Sequence, residues 1–205
     1  MSRNLTKIHL ADAGLSPGDI LVWCAYRDDD NKDAVSPLAN EIARIGLGWS
    51  YHISVVGRAL YAIEMLPGGG QRNPIAHEVA ENPGQIHHFR VPDTVSLLWG
   101  REVETHGYAR EKAVDAAEKF IGTPYGYDQI LHDLLQHSTW ARWLVEMPTD
   151  DSEVAKQHLV CSGLGAIAVN AGLGFDLFPN LSDAAVQPSD FCRCPILRDC
   201  GRLIP

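Results

Sequence analysis

The sequence has no apolar stretch approaching the roughly 20 residues that cross a bilayer as a helix, which excludes a helical membrane span. Met1 to Leu10 also lacks the apolar core of a secretion signal. The chain is therefore expected to stay in the cytoplasm where it is made, unless a phage particle or a secretion machine carries it out. Basic residues are scarce, with 17 Lys and Arg against 26 Asp and Glu and a formal charge of −9. Nonspecific binding to nucleic acid needs phosphate-neutralising cations, so it is excluded. No long acidic block accompanies the deficit, and the charge reads as solubility. No internal repeat or low-complexity tract is present. The five cysteines are odd in number and follow no export signal, which points to reduced thiols rather than a disulfide framework.

What remains is an ordinary globular composition, 45% hydrophobic and 21% charged over 205 residues, consistent with a single domain and a substantial core. Ser16-Pro17-Gly18-Asp19 reads as a turn that launches a buried strand, Ile20-Leu21-Val22-Trp23-Cys24. A helix is expected from Ser36-Pro37 to about Ile45. Strands follow at Tyr51–Val56 and Leu60–Met65, with Pro67-Gly68-Gly69-Gly70 stopping the second. Extended segments near Ile75–Val79 and Ile86–Val91 would complete an antiparallel meander. Tyr108–Phe120 carries apolar residues at helical spacing up to Gly122-Thr123-Pro124. Residues 128–146 read as helical with a break near Ser138, and Cys161–Ala171 as a further helix. Residues 16–92 are thus strand-rich, 106–172 helical, and 175–205 a loop-rich tail. Strands followed by segregated helices make an α+β fold.

Two segments carry chemistry. Cys161 opens its helix in Val160-Cys161-Ser162-Gly163-Leu164. A helix start offers unpaired N–H groups and partial positive charge, which favour thiolate and can hold an oxyanion. A cysteine among small residues is otherwise a buried hydrophobe. In Ser50-Tyr51-His52-Ile53-Ser54-Val55-Val56, alternation puts His52, Ser54 and Val56 on one face. With Gly57-Arg58-Ala59 as a three-residue hairpin loop, Val56 pairs with Leu60 and His52 falls opposite Glu64. The carboxylate would then orient the imidazole, as the third member of a triad does. Ser54 is a candidate for shaping the pocket or simply filling space.

These segments resemble the NlpC-type cell-wall peptidases. Cys161-Ser162-Gly163-Leu164 is similar to their Asp-Cys-Ser-Gly-Leu nucleophile helix, and Ser50–Gly57 to their Ser-His-Val-Gly-Ile-Tyr-Leu-Gly strand. Gly122-Thr123-Pro124-Tyr125-Gly126-Tyr127 resembles their Gly-x-Pro-Tyr segment. The histidine strand precedes the cysteine helix here, as in the circularly permuted, YiiX-like branch. That branch typically opens with a Gly-Asp-Ile strand, matched by Gly18-Asp19-Ile20, and Pro188-Ser189-Asp190-Phe191 resembles its later Pro-x-Asp-Leu. Two departures stand out: Val160 replaces an acidic or aromatic residue, and Tyr51 is inserted between Ser50 and His52.

The resemblance implies a papain-like antiparallel sheet packed against helices and an amide hydrolase. Its catalytic residues would be Cys161 as nucleophile, His52 as base and Glu64 as orienter. Family substrates are commonly peptidoglycan stem peptides, with lipid amides or esters in related members, so a peptide or acyl-amide partner is expected. Ser162 would contribute to the oxyanion site, with Tyr125 or Tyr127 as further donors or as packing. No cofactor is expected. Cys192, Cys194 and Cys200 form the one thiol cluster that invites zinc or iron–sulfur as an alternative. His77, His87 and His88 read as a solvated strand edge. Two other readings stay open: a non-catalytic phage or secretion-system module on the same fold, and a cytosolic amidase or acyltransferase acting on small molecules, proteins or lipids.

Overall fold

The computed structural model describes residues 6–25, 49–92, 94–96, 102–104, 108–126, 160–181 and 185–205. The helix expected at 37–45, the helical stretch 128–146 and Tyr127 lie outside them. β2 (Ile20–Cys24) is buried at every position, as a continuous apolar run requires of a strand covered on both faces. It pairs antiparallel with β3 (Ser50–Val56) on one side and with β6 (Ile86–Arg90) on the other. β3 continues through β4 (Tyr61–Leu66) to β5 (Gly69–Pro74), while β6 leads to β9 (Arg198–Ile204) and the parallel β1 (Lys7–His9). The sheet has seven strands in the order β1-β9-β6-β2-β3-β4-β5, and a separate hairpin joins β7 (Thr94–Ser96) to β8 (Glu102–Glu104).

Four α-helices lie among the described residues: α1 (Ile75–Glu81), α2 (Arg110–Glu118), α3 (Cys161–Leu173) and α4 (Pro188–Arg193). On one side of the sheet Ile20, Val22, Ile53, Val55, Ile63 and Met65 cluster with Val114 of α2, Leu164 and Ala168 of α3 and Phe191 of α4. On the other, Leu21, Trp23, Val56 and Ala62 cluster with Ile75 and Val79 of α1. Burying side chains of this size contributes about 1.5–3 kcal/mol each. The helix α3 lies close to β3 because Gly165 has no Cβ: one added there would sit 2.9 Å from Ile53 and 3.0 Å from Phe191. Gly174 ends the helix in the left-handed region at φ 76°, as a C-terminal glycine commonly does. The architecture is α+β.

Several expectations are corrected. Ile75–Val79 is helical, not extended: Ile75 and Val79 are buried one turn apart while His77 between them is exposed. The glycine cluster at 67–70 does not merely stop β4 but turns the chain into β5, a polar strand. After a first part made of turns, the tail supplies α4 and the internal strand β9. The strands do not run as a simple meander, because β6 joins β2 rather than β5. His87 and His88 are no solvated edge; both are buried, with His87 bonded to Asp199 and His88 to Asp19.

Asp19 explains the Gly-Asp-Ile opening. Its carboxylate, fully buried, accepts bonds from the Ser16 amide, His88 Nε2 at 2.8 Å, Arg90 Nη2 at 2.6 Å and Arg110 Nη1 at 2.8 Å. One side chain therefore ties the 16–19 turn, β6 and the start of α2 together.

Candidate active site

The β3–β4 register pairs Ser54 with Glu64, Val55 with Ile63 and Val56 with Ala62. The hairpin is thus two residues longer than the expected pairing of Val56 with Leu60. A short 3-10 turn at Arg58–Leu60 fills it, with Ala59 and Leu60 at φ 55° and 58°. An even shift keeps every side chain on its face. His52 and Glu64 therefore still share one, offset along the ladder rather than opposite.

The offset is bridged directly. Nε2–H of His52 donates to Oε2 of Glu64 at 2.7 Å, and Glu64 is 1% exposed. On the next strand, Nδ2 of Asn73 donates to the other oxygen, Oε1, at 2.6 Å. Asn73 pairs across from Ala62 and Gln71 across from Glu64. The two donors thus approach the carboxylate from opposite ends of the ladder. Sequence reasoning missed Asn73 because it lies between the glycine cluster read as a strand stop and the segment read as extended from Ile75, where no strand was expected. The alternation Gln71, Asn73 opposite Glu64, Ala62 was the available signal.

His52 stands beside a bulge. Trp23 pairs with His52 but Cys24 pairs with Ser50, leaving Tyr51 as the extra residue of β3. This is the residue that departs from the Ser-His pattern, and a bulge is how a sheet absorbs one. Trp23 packs on the imidazole in a T-shaped contact, centroids 4.9 Å apart. Cys161, at the first position of α3, lies close enough to the same ring to act on it electrostatically. Trp23 belongs to the α1-side cluster and Cys161 to the α3-side cluster. The imidazole is where the two sides meet.

Burial works against the imidazolium. The charge and hydrogen bond of Cys161, followed by those of Glu64, outweigh it and raise His52 from its ordinary 6.5 to about 10. At neutral pH the raised value favours the imidazolium form of His52. Glu78 of α1 lies close enough to respond: burial and then the negative charge of Glu64 push its carboxyl up, against a smaller opposing effect of His52.

Ser162 is buried directly after Cys161. The N-cap residue Val160 supplies no side-chain bond to the first turn of α3, so no capping side chain there competes for its N–H groups. Ser54 is fully buried beside Glu64, with an Oγ that has no hydrogen-bond partner among the described residues, so it fills space rather than lining an open cleft. Tyr125 packs against the core beside α3. Cys194 is buried while Cys192 and Cys200 are half-buried, and no three His, Cys, Asp or Glu side chains among the described residues gather closely enough to hold a metal ion. No helix among them is long and apolar enough to cross a membrane. No family model and no curated protein matches the chain.

Proposed function

We propose that the protein is a cysteine hydrolase of permuted papain-like fold that cleaves an amide bond, with a peptidoglycan stem peptide as the favoured substrate class. The observation that carries the reading is the His52–Glu64 bond at 2.7 Å, with Cys161 at the start of α3 acting electrostatically on the same imidazole. The stem-peptide assignment rests on the resemblance of the Cys161 helix and the His52 strand to the cell-wall peptidases.

With Nε2–H committed to Glu64, Nδ1 is the ring nitrogen left to take the thiol proton. The thiolate attacks the scissile carbonyl carbon, and the oxyanion is held by N–H groups at the start of α3, at Cys161 and Ser162. The tetrahedral intermediate collapses as the imidazolium protonates the leaving amine, giving a thioester to Cys161. Neutral His52 then takes a proton from water, the hydroxide attacks the thioester, and the imidazolium returns the proton to the departing thiolate or keeps it as the ion pair. Glu64 holds the ring in one tautomer and stabilises its charge throughout.

The test is digestion of purified muropeptides and a panel of acyl-amides, with Cys161→Ala as the control. Cleavage of a stem-peptide amide by the wild type alone supports the reading. Cleavage only of acyl-amides moves the substrate to small molecules or lipids, and turnover by Cys161→Ala removes the nucleophile.

A further inference from the structure

We infer that Asn73 is a positioning residue of the active site, acting on His52 and Cys161 through the carboxylate of Glu64. The inference rests on the hydrolase reading above and adds a fourth side chain to it.

Glu64 is 1% exposed, so water cannot supply the hydrogen bonds an ionised carboxylate requires. His52 satisfies Oε2, and Asn73 satisfies Oε1 at 2.6 Å. Directly across from Glu64 on β3 stands Ser54, whose Oγ makes no hydrogen bond among the described residues, so it does not substitute for the amide. The placement is geometric as well as electrostatic. His52 is two residues before the partner of Glu64 on β3, and Asn73 two residues after its partner on β5. The carboxylate is pulled in opposite directions along the sheet, which fixes its plane and aims Oε2 at Nε2.

Asparagine suits this position because its amide donates without adding charge. The titratable groups around the pair are His52 on β3, Cys161 on α3 and Glu78 on α1. Without the amide the carboxylate is free to turn away from the plane that aims Oε2 at Nε2, so its contact with the imidazolium is less well formed and the thiolate loses support in turn.

The experiment follows alkylation of Cys161 by iodoacetamide, read by peptide mass, from about pH 5 to about pH 9. It compares wild type, Asn73→Ala, Asn73→Ser (polar but too short to reach the carboxylate), Glu64→Gln, and each Asn73 variant combined with Glu64→Gln. Thermal midpoints are measured alongside. Both Asn73 variants are expected to move the acid limb of the rate upward by about half a unit to one unit, which is about three- to tenfold at fixed pH. In the Glu64→Gln background they are expected to add nothing, because the carboxylate they act through is gone. An unmoved acid limb in a folded variant overturns the inference, even if the thermal midpoint falls, since a purely structural role does no more than that. An equal shift with and without Glu64 overturns it as well. A wild-type Cys161 that alkylates like an ordinary free thiol overturns the nucleophile assignment and this inference together.

Discussion

Glu64 meets His52 along a diagonal of the β3–β4 ladder, Oε2 to Nε2 at 2.7 Å, while Ser54 occupies the position directly across from it. A diagonal contact is within reach of side chains of this length, and it leaves the second oxygen turned toward β5. The arrangement of His52, Glu64 and Asn73 therefore depends on three strands rather than two.

Glu64→Gln keeps the shape and removes the charge. It is expected to lower the His52 titration by about one unit or more and amide turnover by about a hundredfold. Imidazole resonances followed by NMR across pH check the first, and muropeptide digestion the second. An unshifted His52 would mean that the 2.7 Å contact carries no electrostatic weight.

The raised His52 has a consequence for stability. Its value in the unfolded chain is about 6.5 and in the fold about 10, so the native state binds the proton more tightly. The stability this provides is fully present below about pH 6.5 and is lost as pH climbs through about 10. The gap in urea midpoint between wild type and His52→Gln should therefore narrow across that window. A gap that stays constant or widens contradicts the assignment.

Asp19 behaves with the opposite sign. Burial alone would raise its carboxyl, but the hydrogen bonds from His88 and Arg90, the His88 charge and the Ser16 amide hold it well below the usual carboxylate range. Its contribution is present above that range and is lost in strong acid as the pH falls through the depressed value. Asp19→Asn is expected to cost about 3 kcal/mol at neutral pH, because it strands the positive groups gathered on it. Chemical denaturation measures this; a cost below about 1 kcal/mol would reduce the cluster to surface-like pairing.

Gly70 is expected to reject alanine. Its N–H donates to the Thr123 carbonyl at 2.9 Å and its own carbonyl accepts from Gly122 at 2.8 Å, so the Gly-x-Pro segment docks along the edge of β5. An added Cβ would run into the Phe120 carbonyl. Gly70→Ala should destabilise by about 1–3 kcal/mol, measured by thermal unfolding. A neutral effect would show that the segment is not held there.

The sequence made β2, β3, β4, β6, α2 and α3 legible because each carries its own period or apolar run, with glycine or proline at its ends. Where pairing partners rather than local pattern decide the state, it was silent. β5 is Gly-Gly-Gln-Arg-Asn-Pro, and only its ladder with β4 makes it a strand. β9 is polar for half its length and owes its internal place to β1 and β6. Ile75 and Val79 fit both periods, and the exposure of His77 decides for the helix. The His52–Glu64 face was right for a reason worth separating from the register: parity survives a two-residue error, and pairing does not. Asn73 was hidden with β5, since a residue cannot be placed opposite a carboxylate until its strand is recognised.

Activation of the Cys161 thiol by His52 is tested by the rate of Cys161 alkylation by iodoacetamide near neutral pH, wild type against His52→Ala. The rate is expected to fall by about tenfold or more in the variant, with the two rates converging once the pH is high enough to ionise a free thiol. Equal rates at neutral pH would contradict it.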